Sequence, residues 1–171
     1  MNDEAVTRWR RFVDTLVHFP GAAELLPEGV RDELFELQWT IQLDAFGGVG
    51  PIDPSDPRLR VVLDALAALS VAEQDDPSHP WARAGLLDRA GRHLEAADDF
   101  LAAAARFERE AATGRGETGD EADWAQSALG HAAKNLALGG QPVSAATLLH
   151  RLSPDDKLEV EPLIRQAVAA S

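Results

Sequence analysis

Five histidines, His18, His79, His93, His131 and His150, are the groups in this chain best suited to ligate a metal or move a proton near neutral pH. None stands in a Glu-x-x-His or His-x-x-x-His pair, the spacings that set two metal ligands on one helix face. Adjacent carboxylates at Asp98-Asp99 suggest a metal–diphosphate site, but such a site needs further carboxylates one turn on. Ala102 and Ala103 stand there instead, so the pair reads as a solvated helix face. Ser70, Ser127 and Ser144 lie in helical context without the Gly-x-Ser-x-Gly elbow of a nucleophile. The glycine-rich stretches Gly114-Arg115-Gly116 and Gly47-Gly48-Val49-Gly50 lack the lysine, the hydroxyl and the preceding strand of a phosphate loop. The chain has no cysteine, so a thiolate nucleophile, a thiolate metal site and a disulfide framework are excluded. These residues assemble no catalytic constellation, and a non-catalytic protein without metal or cofactor is expected.

Charge points the same way, towards recognition. The 171 residues carry 29 Asp plus Glu against 16 Lys plus Arg, a formal charge of -13. Nucleic-acid binding rests on cations that neutralise phosphates. The densest basic group, Arg8, Arg10 and Arg11, is interleaved with Asp3, Glu4 and Asp14. Nucleic acid is therefore not an expected partner, and an anionic membrane would repel this surface. No apolar run approaches the roughly 18 residues of a spanning helix. The acidic start Met1-Asn2-Asp3-Glu4 is unlike a targeting peptide, so a reducing cytoplasm is the expected location. Arginine far outnumbers lysine and alanine is abundant, a bacterial style of composition. A protein or peptide partner suits the charge, a basic one best.

The elements that must position any site are helical almost throughout. Val6, Trp9, Phe12, Val13, Leu16 and Val17 form one amphipathic stripe, and Val30, Leu34, Leu37, Ile41 and Leu43 a second beginning at Pro27. Residues 47–57, rich in glycine and proline, cannot continue a helix. Beyond them run stripes of Leu59, Val62, Leu63, Leu66 and Leu69, then Trp81, Ala84 and Leu87, then Leu94, Ala97, Phe100, Leu101, Ala104 and Phe107. Residues 113–120 read as a flexible polar loop, in which Arg115 is the expected first site of proteolysis. Trp124, Ala128, Leu129, Ala132, Ala133 and Leu136 follow, then a short helix from Pro142 and a last one carrying Val160, Leu163, Ile164 and Val168. No hairpin pattern of alternating β-branched residues occurs. The expected fold is all-α, antiparallel helical hairpins stacked as a superhelix or bundle of about seven to eight helices. It forms a single domain over 1–171, with N-terminal helices in 1–46 and hairpins in 57–171.

An internal repeat emerges when Gly91 is placed over Gly140. Ala84 and Ala133 stand seven residues before the glycines, Leu87 and Leu136 four before, Ala96 and Ala145 five after, Phe100 and Leu149 nine after. The pattern resembles the tetratricopeptide repeat, a helix–turn–helix unit of about 34 residues. The likeness spans 77–109 and 126–158, with a degenerate third unit in 28–46 and 58–70. It departs from the family in that the units are not contiguous, the second-helix aromatic is Leu149 in one, and the closing proline is displaced or absent. The resemblance implies a concave groove lined by the first helix of each unit, holding a protein or peptide. On these positions it offers Trp81, Gly85, Asp88 and Arg89 from one unit and His131 and Lys134 from the other. Trp81, Arg89, His131 and Lys134 are the candidate binding residues, the cations for a carboxylate and the indole for an apolar side chain. Core packing of Trp81 and plain solvation of the cations are the competing readings. Two other roles remain open: an accessory subunit or small helical enzyme whose pocket gathers Trp9, Trp39 and Phe46, and an acidic antitoxin or immunity protein.

Overall fold

The computed structural model describes residues 3–18, 27, 46, 48–114 and 119–170. The helix expected after Pro27, Trp39 within it, and Arg115 in the polar loop lie outside these residues. The described helices are α1 (Asp3–His18), α2 (Pro57–Ala72), α3 (Ser78–Arg89), α4 (His93–Thr113), α5 (Glu121–Leu138), α6 (Pro142–Leu148) and α7 (Pro154–Ala169), with a 3-10 turn at Leu149–Arg151. Among the described residues there is no strand, and the protein is all-α. It divides into two compact units, Met1–Gln74 with Arg89–Gly91, and Asp75–Asp88 with Arg92–Ser171.

In the first unit α2 packs on α1. Asp56 accepts a hydrogen bond from the Arg58 amide at 2.9 Å, and Pro57 opens α2, where its missing N–H costs nothing. The stripe expected from the sequence, Leu59, Val62, Leu63, Leu66 and Leu69, is buried throughout. Val6, Trp9 and Val13 of α1 are buried with it, as are Phe46 and Ile52. Each such side chain contributes about 1.5–3 kcal/mol by leaving water. Arg89 closes this unit: its guanidinium donates to the carbonyl oxygens of Gly50 at 2.8 Å and Phe46 at 3.3 Å. Its own carbonyl accepts from the Ile52 amide at 2.9 Å. The segment that glycine and proline bar from helix thus has its backbone held by an arginine 39 residues away.

In the second unit the contacts between helices run in opposite order along the chain. Phe107 stacks with Trp124, Phe100 with His131, and His93 bonds Asn135, so α4 and α5 are antiparallel. Arg83 of α3 bonds both carboxylate oxygens of Asp99 at 2.8 Å. Burial pushes the Asp99 carboxyl up from its ordinary value, against the pull of Arg83. Such a half-sheltered pair fixes the orientation of two helices more than it adds stability. It also corrects the reading of Asp98-Asp99 as one solvated face, because Asp99 turns inward while Asp98 stays exposed. Ala84, Ala96, Ala97, Ala103, Ala128, Ala132, Ala133 and Ala145 are all fully enclosed. Small side chains at these positions let helices approach closely.

Gly91 and Gly140 have φ of 71° and 77°, the left-handed conformation that glycine adopts without strain. After each helix an amide bonds back five residues, Arg92 to the Leu87 carbonyl at 2.9 Å and Gln141 to the Leu136 carbonyl at 2.8 Å. The next helix then begins with Ala96 on Arg92 and Ala145 on Gln141, both at 3.0 Å. The two turns correspond bond for bond. This is a common glycine ending of helices, so it establishes two matching turns and leaves their ancestry open. The helices after them differ, 21 residues in α4 against seven in α6.

Two outcomes follow from this packing. Ala96→Leu should overpack the enclosed side of α4 at a cost of about 1–3 kcal/mol, whereas Ala105→Leu on the exposed side of α4 should change stability by less than about 0.5 kcal/mol. Arg89→Ala should cost about 1.5–3 kcal/mol, the range for hydrogen bonds made by a charged group. Urea unfolding of the three variants measures both. Equal losses for the two alanine variants, or an unchanged midpoint for Arg89→Ala, would contradict the packing described.

Candidate functional site

Helix α5 has two faces. Ala125, Ala128, Leu129, Ala132, Ala133 and Ala137 are buried. Trp124, Ser127, His131 and Lys134, spaced three or four residues apart, form a polar and aromatic stripe that none of those core positions interrupts. The stripe begins at Trp124, which is 47% exposed in the first turn of the helix.

Trp81 of α3 anchors the aromatic end. Four rings meet it edge-on: Phe100 with centroids 5.4 Å away, Phe107 at 6.1 Å, Trp124 at 5.9 Å and His131 at 5.7 Å. Phe100 and His131 stack at 5.0 Å, and Phe107 and Trp124 at 6.4 Å. These are the favoured geometries of aromatic pairs, worth about 0.5–1.5 kcal/mol each beyond area burial. Trp81 is thus a packing residue whose ring also fixes the exposed Trp124 and the half-buried His131.

A cavity of about 70 Å³ opens beside the stripe, lined by Ser127, Gly130, His131 and Lys134 of α5 and by Asp156, Glu159 and Val160 of α7. Its floor depends on a cap. Ser153 precedes Pro154, and its hydroxyl accepts from the Asp156 amide at 3.1 Å while donating to the Asp156 carboxylate at 2.6 Å. That holds the carboxylate against Gly130, where a Cβ would lie 2.8 Å from Asp156 Oδ1. A glycine inside α5 disfavours the helix by about 1 kcal/mol relative to alanine, and here it admits the carboxylate. Behind the stripe, the fully buried Asn135 donates to the His131 carbonyl at 3.1 Å and accepts from His93 Nδ1 at 2.8 Å. His93 in turn lies 3.4 Å from Asp88.

Burial foremost, and then Lys134, holds the His131 imidazole below its ordinary range, against the pull of Asp88, Asp156 and Glu159. The histidine is neutral at pH 7, and the cavity carries two carboxylates and one ammonium. The arrangement supplies ring faces, hydrogen-bonding groups and charge, which is a chemistry of binding.

Of the four candidate residues, the structure brings three together. Trp81 touches His131, and His131 shares the cavity with Lys134. Arg89 belongs to the other compact unit, where its guanidinium donates to the carbonyls of Phe46 and Gly50. Two carboxylates of α4 are paired across helices, Asp99 with Arg83 and Glu108 with Arg151. Trp9 and Phe46 are buried in the core of the first unit. Sequence reasoning does not single out Trp124, Ser127, Asp156 and Glu159. The three-and-four spacing from Trp124 to Lys134 is the signal for the first two, and the place of Trp124 on an apolar stripe hides it. Asp156 and Glu159 come from another helix.

The His131 environment makes a prediction in pH. In the unfolded chain a histidine takes up its proton near pH 6.5, but folded His131 resists it. Stability should therefore fall as pH drops from about 7 through 6.5 towards the lowered folded value. The melting temperature of His131→Gln should decline less than wild type over the same interval; equal declines would place the titration elsewhere. No protein-family model, no curated protein and no solved structure matches this chain, so its function is read from the geometry of the α5 face.

Proposed function

We propose that this chain is a non-catalytic helical-repeat module of tetratricopeptide-like kind, an adaptor or regulatory subunit that binds a protein or peptide segment along the exposed stripe of α5. The single observation that carries the reading is Trp124. It is 47% exposed yet held in place by Trp81 and Phe107, and it lies on the same helix as Ser127, His131 and Lys134, which line the cavity. Exposed tryptophan backed by a rigid cluster presents apolar area without the cost of ordering it on binding. The repeat part of the reading rests on the sequence correspondence about Gly91 and Gly140. Among the described residues no helix is long and apolar enough to cross a membrane. The acidic, cysteine-free composition suits work in a reducing cytoplasm.

Trp124→Ala tests the reading. A partner isolated with the wild-type protein and then purified should bind the variant at least about tenfold more weakly, the loss of one hot-spot anchor. Losing the ring contacts with Trp81 and Phe107 should cost about 1–3 kcal/mol of stability, so binding is compared at a temperature where both proteins are folded. Undiminished affinity would move recognition off the α5 stripe.

A further inference from the structure

We infer that the segment bound by the α5 stripe is basic and presents an arginine, whose guanidinium lies on the exposed face of Trp124 and reaches the carboxylate of Glu159. This rests on the reading of the stripe as a binding surface and adds the chemistry of the ligand. Three observations carry it.

The first is the ring. Trp124 has nearly half its area in water, while its edge contact with Trp81 and its stack on Phe107 fix its orientation. Indole is the best of the aromatic side chains at holding a cation over its face. The second is local charge. Asp156 and Glu159 line the cavity beside Gly130 and His131, where Lys134 is the one cation among the described lining residues and His131 is neutral. Asp123, next to Trp124, and Asp155, next to Asp156, are both exposed and add to the negative potential. Lys134 shares its cavity with two carboxylates, so the local charge is net negative and an acidic ligand would meet net repulsion. The third is the charge of the whole chain, -13, which favours encounter with a cationic segment. Arginine fits better than lysine because its flat guanidinium can stack on indole and still direct a pair of N–H groups at a carboxylate.

Asp156 is set aside in the test because the cap at Ser153 needs it. Glu159 is exposed in α7 and can be changed freely. The probes are three acetylated, amidated heptapeptides of glycine, leucine and one variable residue type: arginine, citrulline or glutamate. Citrulline keeps the shape of arginine and removes its charge. Binding is followed by calorimetry and by the indole N–H signals of the full-length protein. The arginine peptide should bind and shift the Trp124 indole signal, and the citrulline peptide should bind about tenfold more weakly. Trp124→Ala and Glu159→Gln should each weaken the arginine peptide several-fold, with intact folding shown by unchanged helical circular dichroism and an unchanged indole signal of the buried Trp9. Equal binding of the arginine and citrulline peptides, or tighter binding of the glutamate peptide, overturns the inference while leaving a groove that binds peptides. Arginine binding that ignores both substitutions is non-specific attraction to an acidic protein and overturns it as well. If none of the three peptides moves the Trp124 signal, the inference and the reading of the stripe fail together.

Discussion

Close approach between alanine-faced helices is the constraint on which the second unit depends. Ala96, Ala97, Ala103, Ala128, Ala132 and Ala133 are fully enclosed, and at such positions two backbones come nearer than leucine would allow. Alanine removes little apolar area from water, so the stabilising burial must come from elsewhere along the same helices. It comes from large side chains at the margins of the contact: Leu129, Leu152 and Val160 with Trp81, Leu101 and Ile164 packed around them. Trp81 has a special place among these. Its edge contacts reach Phe100, Phe107, Trp124 and His131, and so it joins residues of three helices. Phe100 is buried within this cluster, and Trp81, Phe107, His131 and Trp124 carry the rings outward to the surface. The site is a by-product of how this core is packed.

Polar groups near that face are held by neighbours, and each tie explains a residue choice. Asn135 is wholly buried and would cost about 1–3 kcal/mol unsatisfied; His93 and the His131 carbonyl satisfy it. Asp156 is turned to α5 by Ser153, and Gly130 gives it space. The result is preorganisation: the carboxylates and the rings are in place before any partner arrives, so less conformational entropy is lost on binding.

The same physics separates the roles of two arginines that look alike in the sequence. Arg83 and Arg89 lie six residues apart in α3. Arg83 pairs with Asp99 of α4, and Arg89 donates to carbonyls of a glycine-rich segment that cannot satisfy them by helix formation. The binding surface owes its electrostatic character to α5 and α7, where carboxylates outnumber the lysine.

The sequence by itself determined the helical elements and their ends. Periodic leucine and valine in 59–69 specify the buried side of α2, because a helix places every third or fourth residue on one face. Prolines at 57, 142 and 154 start helices and Gly91 and Gly140 end them, since those residues constrain or free the backbone locally. The alanine positions of close packing were legible for the same reason. Only the tertiary structure decided which partner each side chain meets across helices. Local pattern places Trp124 and Val168 on apolar stripes, yet both are exposed, at 47% and 59%. Asp99 was legible as a solvated carboxylate and turns inward to Arg83; Arg89 was legible as a groove cation and binds a loop 39 residues away. Asp156 and Glu159 enter the site from another helix altogether. A periodic pattern fixes the direction of a side chain about its own helix axis, and what stands opposite depends on how helices distant in sequence are packed.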